Sequence, residues 1–121
     1  VIDAMMRQPH TYETLAYSEN LIPGVIYLTD YDLGTQDYAY SDVISGTYQV
    51  STDEYTTWNN GWSYRNDGVD IQESNDSESN GYNIGWVEDG EWLLYTVDVQ
   101  QSGFYDIITR YSSEQNGGRL E

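Results

Sequence analysis

Two kinds of side chain in this sequence are spaced so that they could do chemistry. The first is aromatic: Trp58 and Trp62 stand in Thr57-Trp58-Asn59-Asn60-Gly61-Trp62, an insertion-like loop rich in Asn and Gly. Flat rings beside planar amides suit recognition, since a ring stacks on the C–H face of a pyranose and amides read its hydroxyls. The same two rings could equally cap the end of a folded domain. The second kind is acidic. Glycoside hydrolysis needs two carboxylates at a defined separation across a cleft, and pairs such as Glu88 and Glu91 offer them. With 21 acidic residues in the chain, coincidence is the default account of such pairs. His10 is the single histidine and has no partner motif. There is no H-E-x-x-H, no G-x-S-x-G and no phosphate-cradling loop. The expectation is a binding segment that is not catalytic by itself.

The elements that must position these residues read as β-structure. Val25 to Tyr31, Tyr38 to Val43, Thr47 to Ser51 and Trp62 to Tyr64 are short β-rich runs separated by Gly, Asp, Asn and Ser. Val69 to Glu73, Asn83 to Val87, Glu91 to Val99 and Phe104 to Ser112 continue the series, with Gly90 and Gly103 where turns are needed. In the Trp92 run, Leu93, Tyr95, Val97 and Val99 share one face, predicted to be the core face. Trp92, Leu94, Thr96 and Asp98 share the other, more mixed face. The polar stretch Gln72 to Asn80 reads as an exposed loop. Many short strands, regular turn signals and no convincing helix predict an all-β sandwich over residues 22–121. Residues 1–21 differ: Ile2, Ala4, Met5 and Met6 could begin a helix that Pro9 discourages. They read as the tail of a preceding domain or a linker, or equally as an extension packed on the sandwich, with Pro23-Gly24 marking the boundary.

Composition narrows the function. At 121 residues the chain has room for one domain, and without cysteine it has neither disulfides nor thiolate metal sites. Aromatics reach 15%, with 13 Tyr against a single Phe, which suits half-buried strands and polar binding faces and argues against disorder. The formal net charge is -17, all four basic residues being arginine. Such a field repels phosphate backbones and anionic headgroups, so neither nucleic acid nor a membrane surface is an expected partner. No apolar run reaches the ~20 residues of a membrane span. Val1 to Met6 lacks the basic start and apolar stretch of a signal peptide, so the segment is expected to be an internal or C-terminal piece of something longer. The expected location is extracellular (secreted) or the cell surface.

Three blocks carry a resemblance. Gly81-Tyr82-Asn83-Ile84-Gly85-Trp86-Val87-Glu88-Asp89-Gly90-Glu91-Trp92-Leu93-Leu94-Tyr95-Thr96-Val97 closely resembles the signature G-Y-x-V-G-W-x-x-x-G-E-W-L-x-Y-T-V of family 6 carbohydrate-binding modules. Tyr64-Arg65-Asn66-Asp67-Gly68-Val69-Asp70-Ile71 is similar to that family's Y-R-x-D-x-V-D-I. Gly103-Phe104-Tyr105 through Arg110 resembles its following strand. The resemblance implies a jelly-roll-like antiparallel β-sandwich that binds polysaccharide in loops at one end. It implies that Tyr40, in Ala39-Tyr40-Ser41-Asp42, is one aromatic wall of the site, with Tyr38 beside it. Gln36 stands near a position where the family often has an acidic sugar contact. Trp86 and Trp92, as signature residues, are expected to pack, and Arg65 to pair with Asp67 or Asp70.

The family commonly binds calcium through two glutamates in a strand resembling I-E-A-E-D-Y. This chain has Tyr27 and Thr29 at those positions, and Asp30 falls on the wrong face to replace them, so a calcium could sit only elsewhere among the acidic loops. The implied partners are a neutral polysaccharide (xylan, β-glucan or agar-type) and an attached catalytic glycoside hydrolase domain. The alternative is an accessory segment of such a hydrolase with a purely structural role. Because the family continues past the Arg110 strand, the sandwich is expected to be incomplete at its C-terminus. The missing strands would come from the same polypeptide or a partner.

Overall fold

The computed structural model describes residues 14–43, 64–65, 67–113 and 119–121. The chain is all-β in these segments. Its elements are β1 (Leu21–Ile22), a 3-10 turn (Leu28–Asp30), β2 (Tyr40–Ser41), β3 (Ile71–Glu73), β4 (Tyr82–Ile84), β5 (Trp92–Leu93) and β6 (Asp98–Val99). No helix among the described residues is long and apolar enough to cross a membrane. β2 pairs with β5 and β3 with β4, both antiparallel, whereas β1 pairs with β6 in parallel. The wholly antiparallel order expected from the sequence therefore fails at this one pair. Two residues on each strand, 77 positions apart, could not announce that orientation locally.

β3 and β4 form a hairpin whose loop is closed by Asp76. Its carboxylate accepts the Glu78 amide at 3.0 Å and its carbonyl accepts the Ser79 amide at 3.0 Å, while Gly81 supplies the positive φ of 96° that returns the chain. The acidic stretch read as an exposed loop from Gln72 thus begins as strand, with Gln72 half-buried and Glu73 already exposed. Arg110 spans to the same aspartate with two bonds, of 2.6 and 3.0 Å. The Glu78 amide and, after it, Arg110 hold the Asp76 carboxyl below its ordinary range.

The core is built largely of tyrosine. Tyr31, Ala39, Tyr40, Val69 and Ile71 are buried, with Tyr64, Tyr82, Ile84, Leu93 and Tyr95 packed on them. A phenol can be buried at little cost only if its hydroxyl finds an acceptor. Four of these phenols do: Tyr31 donates to the Asp67 carboxylate, Tyr40 to the Asp67 carbonyl, Tyr64 to the Asp30 carboxylate, and Tyr95 to the Leu28 carbonyl. Gly34 lies so close to this core that a Cβ built on it would sit 2.7 Å from the Ala39 Cβ. Since Ala39 has no flexible side chain to yield, Gly34→Ala is expected to lower stability by about 1–3 kcal/mol in urea unfolding. An unchanged midpoint would contradict this packing.

Three predicted strands come out differently. Val25 to Tyr31 does not form a ladder. Val25, Tyr27 and Leu28 face solvent while Thr29 and Asp30 turn inward. The inversion is held by distant partners, Asn80 and Tyr64, whose donors reach Thr29 Oγ1 and Asp30 Oδ1. Glu91 to Val99 splits into β5 and β6 because the Thr96 amide is taken by a side chain. Asp32, fully buried, accepts that amide at 2.7 Å and the Thr96 hydroxyl at 2.6 Å. Phe104 to Ser112 forms no regular element and pairs with no described strand, leaving Phe104, Ile107 and Ile108 exposed. Thr47 to Ser51 and most of Trp62 to Tyr64 lie outside the described residues.

Candidate functional site

The antiparallel register of β2 and β5 sets the geometry. Tyr40 lies opposite Leu93 and Ser41 opposite Trp92, so strand alternation sends the first pair inward and the second outward. Ahead of β2, the chain makes a tight turn in which the Tyr38 and Ala39 amides both donate to the Thr35 carbonyl, at 3.0 and 3.1 Å. Asp37 sits in this turn at a φ of 67°, a left-handed conformation that aspartate tolerates better than most residues. The outcome is a loop, 35–43, that lifts Tyr38 to the surface and drops Tyr40 into the core.

Gln36 is the organiser of this loop. Its amide pairs with the Asp42 backbone like a short piece of strand: Oε1 accepts the Asp42 amide at 3.1 Å and Nε2 donates to the Asp42 carbonyl at 3.0 Å. Nε2 also lies within 3.3 Å of Ser41 Oγ, which donates to Asp37 Oδ1 at 3.1 Å. Most of the hydrogen-bonding capacity of Gln36 is thereby used within the loop.

Of the aromatic residues singled out from the sequence, Tyr38 is 45% exposed and Tyr40 only 4%. The Tyr40 ring meets Tyr31 edge-on at 5.6 Å between centroids, and its phenol pKa is pushed up to about 12, by burial first and then by the Asp67 charge. In this arrangement Tyr40 supports the loop from below, and Tyr38 is the exposed ring of the two. Trp58 and Trp62 lie outside the described residues. Trp86 and Trp92, read as packing residues, are instead close to half exposed, at 48% and 42%. Trp86 also adopts a φ of 47°, unusual for a bulky side chain. For Trp92 the signal was present in the alternation, which placed it on the mixed face opposite Leu93; for Trp86 no comparable signal exists in the sequence.

Beneath the loop, Arg65 pairs with Asp67, the first of the two partners read from the sequence, at 2.9 Å and with almost complete burial of the guanidinium. At the two positions where glutamates would hold calcium, Tyr27 is partly exposed and Thr29 is buried with its hydroxyl accepting Asn80 at 2.9 Å. Among the described residues no three acidic or histidine side chains gather as a metal site would require. The surface of the loop thus combines an exposed aromatic ring, Tyr38, with the Ser41 hydroxyl and the Asp37 carboxylate, groups of the kind that stack on and hydrogen-bond a polar ligand. A comparison with known families adds the last observation: the family model described as "Carbohydrate binding module (family 6)" matches residues 60–121.

Proposed function

From the premise that this chain belongs to family 6 of the carbohydrate-binding modules, we propose that it holds a neutral polysaccharide through loop 35–43 and so keeps an attached glycoside hydrolase at its substrate, outside the cell. Carbohydrate binding itself follows from membership, and the match over residues 60–121 is the observation that carries it. The finer reading is supported by the exposed Tyr38 ring in a loop that also carries the Asp37 carboxylate and the Ser41 hydroxyl. The net charge of -17 favours uncharged chains such as xylan, β-glucan or agar-type glycans over anionic ones. Tethering acts by raising the effective concentration of the enzyme near a long or insoluble substrate, so modest affinity suffices.

Affinity electrophoresis in gels containing xylan, mixed-linkage β-glucan or agarose tests this directly. The full chain is expected to be retarded by at least one of them. Tyr38→Ala is expected to weaken binding about tenfold, the loss of roughly 1.4 kcal/mol of stacking and ring burial. Free migration of the folded chain in every gel would end the proposal. Retardation that Tyr38→Ala leaves unchanged would move the contact away from this loop.

A further inference from the structure

We propose that Glu91 is the positioning residue of the carbohydrate-contacting loop, an inference that rests on the reading of loop 35–43 as the contact surface. The last β2–β5 ladder pair is Ser41 opposite Trp92, and Val43, two residues on, belongs to no described strand. Glu91 takes over there. Its Oε1 accepts the Val43 amide at 3.1 Å, 48 residues away in sequence, and its Oε2 accepts the Glu88 amide at 2.9 Å. The turn that carries Glu91 is closed in addition by its own amide, which donates to the Glu88 carbonyl at 3.3 Å. One carboxylate therefore ties the open end of the loop to the 88–91 turn, immediately before Trp92.

Only a carboxylate does this with both ends. It presents an acceptor at each oxygen, whereas a glutamine in its place would turn an N–H₂ toward one of the two amides. Both bonds lie at the exposed surface, where a hydrogen bond adds little to global stability. Their effect is instead local: the loop that must present Tyr38 is already ordered before ligand arrives, and that ordering need not be supplied by the binding energy. The structure thus separates two roles. Gln36 shapes the loop internally, β2 holds its middle to β5, and Glu91 fixes its Val43 end to the 88–91 turn.

The test uses the full chain with three variants, Glu91→Ala, Glu91→Gln and Tyr38→Ala. Calorimetry with xylohexaose, a mixed-linkage β-glucan hexasaccharide and agarohexaose gives affinity, and urea unfolding gives stability. Amide hydrogen exchange reads the bonds themselves. Glu91→Ala is expected to raise the Kd about tenfold through a less favourable binding entropy. The unfolding midpoint should stay near that of the parent, and exchange should accelerate at the Val43 and Glu88 amides. Glu91→Gln should fall between parent and alanine variant, and it keeps the test open if the alanine variant folds poorly. If Tyr38→Ala weakens binding while both Glu91 variants bind like the parent, the positioning role is refuted and the loop reading stands. If Tyr38→Ala also binds like the parent, the loop reading fails and this inference fails with it.

Discussion

Arg65→Met is expected to destabilise the chain by about 3–5 kcal/mol, a large share of the 5–15 kcal/mol that holds a domain of ordinary stability together. The guanidinium is nearly fully buried and all three of its nitrogens are engaged. Nε donates to Asp67 Oδ2 at 3.0 Å and Nη2 to the Asp32 carbonyl at 3.0 Å, while Nη1 reaches the Tyr31 and Thr29 carbonyls. Its Cζ also lies 3.5 Å from the centroid of the Tyr31 ring and 4.5 Å from that of Tyr17. Methionine fills the volume but leaves buried carbonyls without donors and the Asp67 carboxylate without its cation. Lysine is no substitute, because a single ammonium cannot reproduce a planar fork directed at several acceptors. Urea unfolding of the parent, Arg65→Met and Arg65→Lys measures this. A loss below about 1 kcal/mol for either variant would mean that the network is not what anchors the 28–32 segment to the core.

The second large effect is unfolding by alkali. Burial, and after it the Asp67 charge, pushes the Tyr31 phenol far above its ordinary value, and Tyr40 is pushed up to about 12 by the same causes in the same order. Tyr64 and Tyr95 are also raised, with burial again the first cause. The native state therefore keeps protons that the unfolded chain releases near the ordinary tyrosine value of about 10. These phenols contribute stability that is fully present below about pH 10 and is lost as pH rises through the folded values. Tyr31 and Tyr40 alone give a slope of roughly -3 kcal/mol per pH unit once the unfolded phenols ionise, since each proton contributes about 1.4. Over the window from about 10 to 12 that loss is comparable with the whole stability of a small domain. Tyrosinate absorbance and circular dichroism should therefore change together in one cooperative step. A gradual ionisation of the phenols with the fold intact would contradict the buried tyrosine core.

Some of this was legible in the residues because the signal was local. The alternation in the Trp92 run placed Leu93 and Tyr95 inward and Trp92 and Leu94 outward, as found, because period two is a property of the strand itself. It then failed at Val97 and Val99, which are exposed, since the Asp32 carboxylate has replaced the neighbour that would have continued the ladder. The Arg65 pairing was readable as a choice of two, because opposite charges two and five positions away compete only with each other. The inward turn of Thr29 and Asp30 was not readable, since it depends on an asparagine 51 residues downstream of Thr29. Tyr40 illustrates the same limit at the candidate site. Its motif suggested a ligand wall, but what decides its exposure is the Asp67 carbonyl that receives its hydroxyl, and nothing near Tyr40 specifies that partner. Neither the Gln36 pairing with the Asp42 backbone nor the reach of Glu91 to Val43 leaves a trace in residue type.

The parallel pairing of β1 with β6 has a mechanical meaning. The two strands run in the same direction, so the chain before Leu21 and the chain after Val99 leave the pair at opposite ends. Tension applied across those two points lies along the strands. It loads the Asp98-to-Asn20 and Gln100-to-Ile22 backbone bonds, of 2.8 and 2.9 Å, and the Asn20 side-chain bond to the Thr96 carbonyl together rather than one after another. An antiparallel pair pulled at the corresponding points would peel open from one end. Drag transmitted through the chain from an immobile surface would thus meet this small ladder in its more resistant direction.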